Sequence, residues 1–260
     1  MHKFHSLLAL AALLVCHPAY AGPAEDKGLA IAKEASSRDS GWRDSSADLA
    51  MLLKNKQGEQ SRRDMRAKTL EMPTDGDKSL MIFDTPADVK GTALLSFSHK
   101  TADDEQWLYL PALKRVKRIA SDNKAGPFMG SEFAYEDITS QEVEKYTYKW
   151  LRDEKLGGQD VFVFERFPVD ASSGYTRQVV WMDKSAYRIQ KIDYYDRKQA
   201  LLKTLTFKDY KAYGKFWRAS DMAMTNHQTG KSTQLVWKAY TFGAGLSARD
   251  FDQNALARAR

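Results

Sequence analysis

The chain has one cysteine in 260 residues, Cys16, and it lies in the opening stretch that reads as a leader. Once that leader is removed, no disulfide and no thiolate site can form, so stability has to come from burial alone. Histidine is nearly as scarce: His2, His5 and His17 fall in the same stretch, leaving His99 and His227. Neither has a partner at helical metal-ligand spacing, so no metal site is expected, and no cofactor. Beyond the leader no apolar run approaches the ~20 residues that a membrane-spanning helix needs. There is also no strong excess of charge. The 40 basic and 34 acidic residues become 39 and 34 without Lys3, a balance of +5 spread along the chain. In an exported protein that mild excess suits lipid headgroups or acidic proteins, and no nucleic-acid partner is expected.

Enzyme signatures are missing too. There is no Gly-x-Ser-x-Gly elbow. Gly230-Lys231-Ser232 resembles the end of a phosphate loop, but the leading glycine position is Thr225 and the segment reads as a hairpin tip. Gly243 to Ala248 fits a loose dinucleotide pattern with too little chain after it for a βαβ unit. The acidic neighbours Asp103-Asp104 and Glu136-Asp137 would point to opposite faces of a strand, and both read as solvated turns. The chain is therefore expected not to be an enzyme.

The first 21 residues combine Lys3, the apolar run "LLALAALLV" and Ala19-Tyr20-Ala21. This predicts a secretory signal cleaved after Ala21 and a soluble exported chain, with Cys16 preceded by Leu14-Val15 and so poorly placed for lipid attachment. Residues 23 to 37 start with Pro23, Glu25 and Asp26 and continue with good helix formers, predicting a helix with Leu29 and Ala32 on its apolar face. After Trp42 short runs rich in Val, Tyr, Phe, Trp and Thr recur. Turn residues punctuate them at Asn55 to Gly58, Asp75-Gly76, Gly157-Gly158, Ser173-Gly174, Tyr213-Gly214 and Thr229-Gly230.

Several runs alternate with period 2, as in "EKYTYKWLRD" and "GYTRQVVWMDK". "DVFVFERF" is apolar on both faces from Val161 to Phe164 and needs cover on both sides. About eleven candidate strands between positions 45 and 242 are too many for one flat sheet and predict strong curvature or a barrel. A short C-terminal helix, with Ser247 as its cap and Phe251 and Leu256 docking, is expected to follow. No internal repeat is visible, and residues 22–260 read as one domain.

The chain is polar overall, with mean hydropathy −0.57, yet 12% of it is aromatic. Trp107, Tyr109, Trp150, Phe162, Phe164 and Trp181 either fill a core or line a ligand cavity inside a wide curved sheet. The signal peptide, "WLYLPALKRVKRI" (107–119), "GPFMGSEFAYEDI" (126–138) and "VVWMDKSAYRIQKIDYYD" (179–196) resemble the outer-membrane lipoprotein-sorting protein family, in its larger LolA-like periplasmic branch. The likeness spans roughly residues 40 to 245. It implies a mainly β fold with a few helices, a half-open antiparallel β-barrel of about eleven strands with a helix and loop lid. It also implies a periplasmic carrier of lipid or lipoprotein acyl chains that works with an inner-membrane exporter of the resistance-nodulation-division (RND) type. The family's carriers lock the lid with an arginine, for which Arg43 and Arg177 are available here without a matching motif.

A carrier of this kind has a clear physical reason to exist. Exposing an acyl chain costs about 0.8 kcal/mol per methylene, on the order of 12 kcal/mol for ~15 methylenes. Within the resemblance, Trp107 to Leu110 are expected to line the barrel. Phe128, Met129, Phe133 and Tyr135 are expected to close its mouth as movable apolar groups on a Gly126/Gly130-flanked loop. Lys114, Arg115, Lys117 and Arg118 are expected to meet headgroup phosphates or an acidic partner, or else to guard a solvated strand edge. Lipoprotein, phospholipid, another lipid and a hydrophobic export substrate remain open as cargo. Two rival readings are a lipid-responsive sensor of the same fold and a periplasmic hydrolase using His99 or His227.

Overall fold

The computed structural model describes residues 22–258. The expected signal peptide, Cys16 included, lies outside the described residues. Helix α1 spans Pro23–Arg38, with Pro23 in its first turn, Glu25 and Asp26 beside the positive end of the helix dipole, and Arg38 at the other end. Ile31 and Ala32 are buried and Leu29 packs beside them, as the sequence predicts.

Thirteen strands then form one antiparallel sheet, two more than expected: β1 Asp44–Lys54, β2 Gln60–Leu70, β3 Lys78–Thr85, β4 Ala93–Phe97, β5 Glu105–Leu110, β6 Arg115–Ile119, β7 Tyr146–Leu156, β8 Gln159–Pro168, β9 Tyr175–Asp183, β10 Ile189–Asp196, β11 Leu201–Tyr213, β12 Phe216–Asn226 and β13 Ser232–Phe242. All six predicted turns fall between consecutive strands. The strand order is β6-β5-β4-β3-β2-β1-β13-β12-β11-β10-β9-β8-β7, so β6 and β7 are free edges and the barrel is unclosed. Bulges in β1, β7 and β10 interrupt the register, which increases local twist and helps so wide a sheet to curl.

Because β6 and β7 sit at opposite ends of the sheet, the chain joining them, residues 120–145, has to traverse the open side. It does so in short 3-10 turns while bonding to strands all around the barrel. Arg63 on β2 donates to the Met129 carbonyl (2.6 Å), Gln106 on β5 to that of Tyr135 (3.0 Å), and Asn226 on β12 to the Glu132 carboxylate (2.7 Å). The Glu132 amide donates to Thr233 Oγ1 on β13 (3.0 Å). The segment is thus a plug seated on the concave face.

Helix α1 covers the β7 end of that face. Gly28 lets it come close: a Cβ there would lie 2.8–3.0 Å from the backbone of Lys149 and Trp150. The convex face carries two smaller clusters. Trp107 and Leu95 pack beneath Phe251, which follows a 3-10 turn at Ala248–Asp250, and Leu256, which lies in a second at Gln253–Arg258; a helix was expected there. Val161, Val163, Val179 and Trp181 form the other cluster. Phe162 and Phe164 face the main core, so β8 is indeed apolar on both sides.

Candidate functional site

Between α1, the concave face of the sheet and the plug lies a cavity of about 1620 Å³. That exceeds the roughly 300–1,000 Å³ of a typical small-molecule pocket. Its walls come from alternate residues of successive strands, among them Phe164, Val180, Met182, Phe207, Met222 and Trp237. Ala47, Ala67 and Ala219 also line it and leave the space open by their small size.

Below these apolar walls runs one polar row. Strand register pairs Tyr148 with Arg166, Arg166 with Gln178, Gln178 with Tyr194, Tyr194 with Lys203, and Lys203 with Asn226. The plug satisfies one end of the row. Lys203 Nζ donates to Asp137 Oδ2 (2.7 Å) and to the Glu132 carbonyl (2.9 Å), with the Lys203 and Asp137 side chains only 5% and 3% exposed. Tyr175 donates its hydroxyl to Asp137, and the Ala134 amide donates to Asp137 Oδ2. Glu136 accepts from Ser173 Oγ and the Gly174 amide. Burial, with Asp137 beside it, still pushes the Glu136 carboxyl up to about 7. Glu136-Asp137 is therefore not the solvated turn expected: Asp137 is buried as the counter-charge of the buried Lys203, and Glu136 is half-buried against the Ser173-Gly174 turn.

Elsewhere the cavity meets charges of both signs. Arg188 stacks over Trp217 and Tyr210, and Arg218 pairs with Asp39 (2.6 Å). Another part of the rim is acidic. Asp77 accepts from Ser140 Oγ and the Met72 amide, and Glu142 accepts from Ser98 Oγ. Burial raises both carboxyls, Asp77 to about 6.

Of the residues expected to touch ligand, Phe164 lines the cavity. Trp107, Tyr109 and Trp181 face the convex side. Trp150 packs under α1 with Lys27 over its ring, and Phe162 packs against Tyr187. Phe128 and Phe133 are 0% and 1% exposed within the plug, where Phe128 touches Tyr135 and Phe83. Met129 beside them has left-handed backbone (φ 49°). These four sit in the core of the plug and do not line the cavity. Period 2 places residues on a common face without saying which face is concave, and the choice made from aromatic content fails for β5 and β9.

Lys114, Arg115, Lys117 and Arg118 are all exposed on or beside the edge strand β6. Arg118 pairs with Glu105 (2.9 Å), and the other three have no ion pair among the described residues. Leu113, 62% exposed, and Val116 stand among them. Arg43 lines the cavity rim, while Arg177 pairs with Glu165 away from it. The polar row and the aromatic residues Trp217 and Tyr240 at the cavity went unnoticed in the sequence; the alternation of "FVFERF" was the available signal for Arg166. His99 Nδ1 lies 2.7 Å from Asp75 and His227 Nε2 2.8 Å from Thr204. Among the described residues no cluster of three His, Cys, Asp or Glu could hold a metal.

A family described as "Uncharacterized protein" matches residues 75–258. The solved structure described as an outer membrane lipoprotein-sorting protein domain from Vibrio parahaemolyticus is 61% identical, with 90% of this chain and 100% of that one covered and a TM-score of 0.89. A DUF1329 family protein from Desulfovibrio piger is 30% identical over 90% of this chain and 99% of its own, with a TM-score of 0.85. A LolA superfamily protein from Nitrosomonas europaea shares the fold at 18% identity, covering 87% and 98% of the two chains with a TM-score of 0.70. No curated protein matches the chain.

Proposed function

The chain belongs to the family of outer membrane lipoprotein-sorting and DUF1329 proteins, with a LolA-like fold, and from that premise we propose that it is a periplasmic carrier of acyl chains. The observation that carries the reading is the cavity of about 1620 Å³ with apolar walls and small alanines. A chain of ~15 methylenes placed there is shielded from water to the extent of about 12 kcal/mol. Carriage between envelope partners also needs a docking surface, and the β6 edge supplies Lys114, Arg115 and Lys117 around the exposed Leu113 and Val116. Against an anionic bilayer each such cation contributes about 1 kcal/mol. The partnership with an RND-type inner-membrane exporter is supported by the family resemblance alone.

Transfer of a fluorescent phospholipid or lipopeptide from donor to acceptor vesicles tests the proposal. A carrier speeds transfer in proportion to its concentration, and a K114E/R115E variant does so less well with anionic vesicles. Binding without transfer would favour the sensor reading of the same fold.

A further inference from the structure

The polar row under the cavity treats its two cations differently. Lys203 is met by Asp137 of the plug. Arg166, only 7% exposed, has no carboxylate partner among the described residues. Its Nε donates to Gln178 Oε1 (2.7 Å), its Nη2 to Gln141 Oε1 at a long 3.3 Å, and its guanidinium lies over the Tyr146 ring at 4.4 Å. These groups accept or face the cation without neutralising it. Nη1 has no hydrogen-bond partner among the described residues. Nor is it sealed in: among the described residues the fully buried side-chain atoms lacking a partner are Gln106 Oε1 and Lys124 Nζ, and Arg166 lines the cavity. The neighbouring carboxylates bond elsewhere: Asp137 to Lys203 and Tyr175, and Glu136, raised to about 7 and so ionised at pH 8, to Ser173 and the Gly174 amide, leaving neither on the Arg166 fork.

A buried cation without a counter-charge is costly, and a guanidinium fork matches a carboxylate or phosphate in two parallel bonds. Here Nη1 is free and the long Nη2 bond to Gln141 is easily exchanged. Resting on the carrier reading, we propose that Arg166 is the receptor for the anionic head of a single-chain lipid, which enters the cavity head first with its tail along the apolar walls. This differs from a cargo whose head stays outside and whose acyl chains alone are buried.

Three probes with the same 16-carbon chain test it on the full mature protein at pH 8: palmitate, monohexadecyl phosphate and hexadecanol, each measured by displacement of a fluorescent acyl probe. At least one anion is expected to bind tenfold or more tightly than the alcohol. The tighter of the two distinguishes a fatty-acid carboxylate from a lipid phosphate. R166Q is expected to bring that anion to the level of the alcohol while leaving the alcohol unchanged, and R166K to keep part of the preference. If R166Q fails to fold, the comparison within the wild type still decides. Binding of all three within threefold of one another would overturn the inference and leave the acyl-carrier reading standing. Binding of none would overturn both.

Discussion

Replacing Asp137 with alanine should destabilise the protein more than any single change at its surface. The substitution leaves Lys203 buried without its counter-ion and takes an acceptor from Tyr175 and from the Ala134 amide. Breaking a buried pair from one side costs about 3–5 kcal/mol, because the remaining charge stays desolvated. For a chain of this size 1 kcal/mol moves Tm by roughly 2–4 °C, so 4 kcal/mol predicts a drop of roughly 8–16 °C. Asp137→Asn should do almost as badly, since it keeps the shape and loses the charge. The double variant Asp137→Ala/Lys203→Met removes both charges and should recover much of the loss. Urea unfolding gives the energies, and hydrogen exchange over residues 126–138 should show the plug loosening. A D137A protein within 1 kcal/mol of wild type, or a double variant no better than the single, would refute the view that this ion pair locks the plug to the barrel.

Gly28→Ala gains helix propensity of up to about 1 kcal/mol but places a Cβ against the β7 backbone, which cannot yield as a side chain can. A net loss of about 1–3 kcal/mol is expected in urea unfolding, and net stabilisation would contradict the close docking of α1. Ala219→Phe puts a ring with the room of about four methylenes on the cavity wall, so a chain packed there loses at most about 3 kcal/mol and acyl-probe binding should weaken by up to roughly 100-fold. Unchanged affinity would mean that the ligand lies elsewhere. Asp77 has a folded pKa of about 6 against an ordinary 3.8. The stability linked to it is therefore full below pH ~4 and lost as pH rises through 6. Between pH 5 and 7 the wild type should lose about 1 kcal/mol more than D77N in urea unfolding, and parallel pH profiles would argue against a raised carboxyl.

Much of the scaffold was legible in the sequence because it depends on short-range chemistry. Each glycine-bearing turn separates two strands, Pro23 with its acidic neighbours starts the helix, and Val161 to Phe164 serve two apolar faces. The site was less legible because it depends on what faces what across the barrel. Trp107 and Tyr109 share a face, but only the docking of Phe251 and Leu256 shows that it is the convex one. The Gly126–Gly130 stretch has the composition of a mobile tip; Arg63 on the Met129 carbonyl, and Lys203 and Asn226 on the following Glu132 and Asp137, turn it into part of a buried plug. Arg166 reads as an ordinary strand cation until its register neighbours prove to be Tyr148 and Gln178.

The central claim is that the cavity holds an acyl chain, and native mass spectrometry of the protein, gently purified after expression in a Gram-negative host, with lipid extraction of the same sample, tests it most directly. The account predicts a stoichiometric adduct of acyl-lipid mass that Ala219→Phe diminishes. A clean apo mass that persists after challenge with fatty acids, phospholipids and lipopeptides would contradict it.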